Sequence, residues 1–169
     1  MKGHEFIARN VTVAALVIAV TSVTSAAAQS LKDQVIGTWM VVSAEMVRSD
    51  GTRVHMYGDE PQGILVLSAD GTYVTINTRK DLPRISAGNR ERATEEEAKA
   101  TRGTLAYYGT YTVDEQKRIL TVNVTGSTFA NQLGTKQTRI ITSLTPTEMT
   151  FTNPAATSGG KLELRFKRP

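Results

Sequence analysis

The chain contains no cysteine. That excludes disulfides, thiol nucleophiles and a lipid anchor on an N-terminal cysteine. Histidine is nearly absent, with only His4 and His55. A zinc site built on two or three histidines is out of reach once His4 is set aside with the leader described below. A serine hydrolase triad has only His55 to use, and no Gly-x-Ser-x-Gly elbow presents a nucleophile. A glycine-rich phosphate loop is also missing, and the paired Gly159-Gly160 is turn material. The net charge of +4 is spread thinly, with one loose cluster at Arg79, Lys80, Arg84, Arg90 and Arg92. Nucleic acid as a partner calls for a dense basic stripe or a known motif, and neither occurs.

Long apolar runs are lacking too, except for one near the start. Lys2 and Arg9 precede an apolar run over 11–23, and Ala26-Ala27-Ala28 follow it. This is the pattern of a secretory signal peptide over 1–28, cleaved after Ala28. The run is well short of the about 20 residues a membrane-spanning helix needs. The expected location is therefore periplasmic or secreted, with no stable membrane anchor after cleavage. Residues 29–169 have the size of one domain, enough to bury a core without disulfide staples.

That remaining chain reads as strand and turn in alternation. Strands are predicted over 39–48, 63–68, 72–79, 104–113, 118–125, 137–144, 148–152 and 161–167. Asp50-Gly51 and Asp70-Gly71 are hairpin turn signals. In the last strand Leu162, Leu164 and Phe166 share one face, and Lys161, Glu163, Arg165 and Lys167 share the other. Gly109 lies among Leu105, Tyr107, Tyr111 and Val113 and is suited to a bend or a close backbone approach. One segment, 83–103, breaks the rhythm. Within it Thr94 and Glu97 form a capping box for a short helix over 95–102 with almost no apolar face, placed on the surface or over a barrel mouth.

About eight antiparallel strands joined in sequence order favour an all-β, up-and-down barrel over a sandwich, which needs Greek-key crossovers. A barrel of that size holds one small ligand.

The chain also resembles a known family, the bacterial and fungal lipocalin-like domain proteins within the wider calycin barrels. The likeness is carried by Ile36-Gly37-Thr38-Trp39, Val42-Ser43-Ala44-Glu45 with Asp50-Gly51-Thr52, Gly63-Ile64-Leu65 with Asp70-Gly71-Thr72-Tyr73, Gly88-Asn89-Arg90, Tyr108-Gly109-Thr110-Tyr111 and Asn153-Pro154. It runs from about Val35 to Lys167. The resemblance implies the barrel. The second and third motifs of secreted animal lipocalins are missing, so retinol-type transport does not carry over.

Trp39 is read as the structural plug of the closed end. The expected ligand-binding residues are Glu45, Tyr57, Tyr73, Arg79, Tyr107, Tyr111 and Phe151. Tyrosines present an apolar ring and a hydroxyl together, which suits a pocket wall, and ordinary barrel core is the competing reading. Strict alternation from an inward Trp39 carries Glu45 inward, where it would act as a general acid or anchor a cation; a bulge would turn it out. Arg79 shares the face of Tyr73 and would meet a ligand carboxylate or phosphate, or else stand in water at the rim. The expectation is a barrel that binds a small hydrophobic or amphipathic ligand without a cofactor. The alternative is a barrel enzyme of isomerase or cyclase type, using Glu45, Tyr107, Tyr111 and Arg79. Nothing in the sequence sets the oligomeric state.

Overall fold

The structure is a computed structural model that describes residues 29–157 and 159–169. The predicted signal peptide over 1–28 lies outside the described residues. Among the described residues no helix is long and apolar enough to cross a membrane.

The elements run α1 (Leu31–Val35), β1 (Gly37–Val47), β2 (Arg53–His55), β3 (Pro61–Leu67), β4 (Thr72–Arg79), α2 (Glu95–Ala100), β5 (Thr104–Asp114), β6 (Ile119–Ser127), β7 (Lys136–Leu144), β8 (Glu148–Asn153) and β9 (Lys161–Lys167). Single turns of 3-10 helix at Arg90–Arg92, Thr101–Gly103 and Ala130–Gln132 fill some of the connections. All strand pairings are antiparallel, in the order β2-β1-β3-β4-β5-β6-β7-β8-β9, and β1 also pairs with β9. Eight strands therefore close a barrel, and β2 is an extra short strand laid against the far half of β1.

The hairpin turns form as their chemistry dictates. The Asp70 carboxylate accepts from the Thr72 amide at 2.9 Å and Gly71 takes φ 91°. Asp50 and Gly51 repeat the arrangement, with Thr52 donating at 2.8 Å and φ 84°. An Asx turn next to a residue in the left-handed region reverses the chain tightly. At Gly109 an added Cβ would lie 1.9 Å from the Asn123 carbonyl oxygen, so the bulge between Tyr108 and Gly109 needs a residue without a side chain.

The capping box forms as predicted. Thr94 Oγ1 accepts from the Glu97 amide at 3.2 Å, and the Glu97 carboxylate accepts from Thr94 N at 2.8 Å. Glu97 also accepts from Ser86 N at 2.7 Å, tying the loop before the helix to its first turn. Hydrogen bonds from the Ser86 and Thr94 amides hold its carboxyl down at about 2. α2 buries no residue.

The closed end is built around Trp39, which is fully buried. Its indole N–H donates to the Val35 carbonyl at 2.8 Å. The Arg168 guanidinium lies over the ring, 3.8 Å from its centroid, and donates to the carbonyls of Ile36 at 2.8 Å and Gln34 at 3.0 Å. Gly37 has φ 128°, and an added Cβ would meet Arg168 Nη1 at 2.0 Å. The glycine of the Gly-x-Trp triplet is thus favoured first by its positive φ and then by the arginine stacked on the tryptophan. α1 was not foreseen in the sequence. It seals the floor because Ser30 caps it and the Glu115 carboxylate, from the β5–β6 turn, accepts from Leu31 N and Lys32 N at 2.8 and 3.0 Å. Above the floor Leu65, Leu67, Leu120, Val122, Met149 and Phe166 pack solidly.

The Trp39→Ala substitution is expected to cost about 3–5 kcal/mol through lost packing. Denaturant unfolding followed by circular dichroism measures it, and an unchanged midpoint contradicts the structural role of the indole.

Candidate functional site

The half of the lumen away from Trp39 is hollow. Its cavity measures about 850 Å³. The wall combines Tyr73, Thr75 and Asn77 from β4, Leu105 and Tyr107 from β5, Arg139 from β7, Phe151 and Asn153 from β8, and Leu162 and Leu164 from β9. Tyr57, in the loop after β2, and Gln132 add to it. Arg90, Arg102 and Phe129 are exposed and stand at the mouth. Among the described residues no aspartate or glutamate lines this cavity.

A polar cluster is embedded in this wall. The Tyr73 and Tyr107 rings stack with centroids 5.5 Å apart, and their hydroxyls lie 3.2 Å apart. Arg139, only 3% exposed, donates from Nη2 to the Tyr107 hydroxyl at 2.7 Å and from Nη1 to the Thr138 carbonyl at 2.7 Å. Its guanidinium carbon sits 5.7 Å from the centroid of the Phe151 ring. Among the described residues it forms no ion pair with any carboxylate. Burial lowers the basicity of this guanidinium, and the Tyr107 and Tyr73 phenols raise it for a net upward direction. Arginine keeps its charge at neutral pH in either case. Burial, with the neighbouring Tyr107, pushes Tyr57 up to about 12 and drives Tyr73 well above the ordinary tyrosine value. The Asn77 side chain is 4% exposed, and its amide oxygen has no hydrogen-bond partner.

A family model described as a lipocalin-like domain matches residues 36–164. The chain belongs to the lipocalin-like domain family. Solved structures similar to it include a redesigned β-barrel, at 18% sequence identity and TM-score 0.43, covering 83% of this chain and 99% of that one. Another is the redesigned β-barrel mFAP1 bound to DFHBI, at 20% identity and TM-score 0.43, covering 83% of this chain and 100% of that one. No curated protein matches the chain.

In this lipocalin-like domain Tyr57, Tyr73, Tyr107 and Phe151 line the cavity, while Glu45, Arg79 and Tyr111 do not. Glu45 faces outward, because the register of β1 against β9 shifts between Val41 and Ser43. Beyond the shift Ala44 and Met46 take the inward face, and Glu45 is held outside by Arg53, which donates to Glu45 and to Glu163 at 2.8 Å each. Arg79 keeps the parity of Tyr73 but has reached the end of its strand. It stands half-exposed at the rim, in a two-point ion pair with Asp81 at 2.8 and 2.6 Å. Tyr111 belongs to the floor, where its hydroxyl donates to the Ser68 carbonyl at 2.8 Å.

Arg139 and Asn77 were missed in the sequence. Asn77 was legible, since it alternates with Tyr73 and Thr75 on β4. Arg139 was marked only by sharing parity with Ile141, and an arginine on a strand defaults to the wet face.

Leaving a charge buried without a counter-ion costs several kcal/mol. The Arg139→Met variant of the lipocalin-like domain, melted without ligand, is therefore expected to unfold at an equal or higher temperature, with a gain of up to about 1–4 kcal/mol. A marked fall in melting temperature would show that the guanidinium is there for stability.

Proposed function

We propose that this barrel is a non-catalytic binding or carrier protein that holds one small hydrophobic or amphipathic molecule in its lumen. The observation that carries this reading is the cavity of about 850 Å³ inside the barrel, walled by aromatic and aliphatic side chains with a few convergent polar groups. That size and make-up are those of small-molecule sites, which run from about 300 to 1,000 Å³. The isomerase or cyclase alternative needs Glu45, Arg79, Tyr107 and Tyr111 around one space. They are divided instead among the outer face, the rim, the lumen and the floor. Tyr57 and Tyr73 line the cavity with raised pKa values, so near neutral pH they serve as hydrogen-bond donors and not as proton acceptors.

Calorimetric titration with decan-1-ol tests the reading. Wild type is expected to bind one molecule, and Leu162→Trp, which places an indole in the cavity, is expected to lose about tenfold or more in affinity, roughly 1.4 kcal/mol. Binding that survives the filled lumen undiminished places the ligand elsewhere.

We also propose that residues 1–28 direct export and are removed, so that the mature protein begins at Gln29 in the periplasm or outside the cell. The basic start, the apolar run over 11–23 and Ala26-Ala27-Ala28 support this. Cell fractionation with intact-mass measurement decides it. Full-length protein confined to the cytoplasmic fraction would sink the proposal.

A further inference from the structure

We infer that the ligand of this lumen is an amphipathic monoanion, a carboxylate on an apolar body, seated with its charged end on the Arg139 guanidinium. The inference rests on the reading of the lumen as a binding site and names the class of molecule it takes.

The first support is charge. Arg139 is buried, lines the cavity and, among the described residues, is paired with no carboxylate. The acids that might have neutralised it are engaged or exposed elsewhere. Glu45 and Glu163 share Arg53, Asp81 holds Arg79, and Asp59 meets His55 in solvent. The other two basic residues of the wall, Arg90 and Arg102, stand at the mouth, Arg90 with Glu91 3.6 Å away, and among the described residues no acidic side chain lines the cavity itself.

The second support is a count of donors. A guanidinium offers five N–H groups. The Thr138 carbonyl and the Tyr107 hydroxyl each take one and the Tyr73 hydroxyl also interacts with the guanidinium, leaving two for a further acceptor. The Tyr73 and Tyr107 hydroxyls share a single hydrogen between them, so the pair still has one O–H to donate, whichever phenol provides it. Asn77 adds a buried amide whose oxygen is unpartnered, and turning that amide about its last torsion would present its NH₂ group in that place. Surplus donors around a fixed cation call for an acceptor-rich anion.

The third support is discrimination among ligand types. A neutral ligand leaves the guanidinium uncompensated. A cationic ligand, which a cluster of aromatic rings would otherwise attract, meets Arg139 already stationed at the Phe151 ring. A phosphate monoester brings nearly two charges to one buried cation. A carboxylate matches both the single charge and the planar fork of the guanidinium. Met56, Leu105, Leu162 and Leu164 supply apolar wall for the rest of the molecule.

The test is calorimetric titration of the purified full barrel, as wild type, Arg139→Met and Arg139→Lys, with decanoate, decan-1-ol, decyl phosphate and decyltrimethylammonium. Thermal melts confirm that each variant is folded. Decanoate is expected to bind wild type at least about tenfold tighter than decan-1-ol. Arg139→Met is expected to remove that preference, lowering decanoate affinity at least about tenfold more than decan-1-ol affinity, and Arg139→Lys to restore part of it. The inference is overturned if decan-1-ol or the ammonium binds wild type as tightly as decanoate, or if decyl phosphate binds more tightly. It is equally overturned if Arg139→Met weakens decanoate and decan-1-ol alike. Should none of the four bind wild type, the lumen-binding reading itself falls and the inference goes with it.

Discussion

The rest of this molecule depends on one strand belonging to both ends of the sheet. β1 pairs with β3 through Gly37–Met40 and with β9 through Met40–Val47, and that double membership closes the barrel. A strand that leaves one neighbour and follows another must bend and twist, and the register shift between Val41 and Ser43 provides the bend. Its consequence is a change of face. Trp39 and Val41 point inward on one side of the shift, Ala44 and Met46 on the other. The indole is thereby committed to the floor, and Glu45 is sent outside to share Arg53 with Glu163, the residue opposite it on β9.

The barrel divides its interior between two tasks. The floor half is packed with tryptophan, leucine, valine, methionine and phenylalanine, and it is tied down by Arg168, α1 and Glu115. The mouth half keeps a cavity and a cluster of polar groups that a protein selected for stability alone would replace with aliphatic side chains. A buried guanidinium and an unpartnered amide oxygen oppose folding, and the dense floor offsets them. The two requirements are met in one short barrel because they are separated along its axis.

Much of the architecture was legible in local chemistry. The Asp-Gly turns, the alternation of β9, the capping box at Thr94 and the close approach at Gly109 depend on residues near one another in sequence, and they formed as those residues dictate. β2 and α1 were less legible. β2 is held only by pairing with the far half of β1, and α1 by a carboxylate from a distant turn. The candidate site divides in the same way. Tyr73 and Tyr107 lie on regular stretches where parity is reliable. Glu45 lies beyond a bulge, Arg79 at a strand end and Tyr111 on the floor side of its strand, where parity either fails or no longer specifies depth.

The sequence by itself determined an antiparallel barrel, because alternation and turn chemistry act over a few residues, and its Gly-x-Trp triplet marked the tryptophan of the closed end. Only the tertiary structure decided which side chains meet in the lumen. Arg139, Tyr107 and Phe151 come from three strands whose closeness depends on the shear of the closed sheet, a property of the whole barrel that no single stretch of chain encodes.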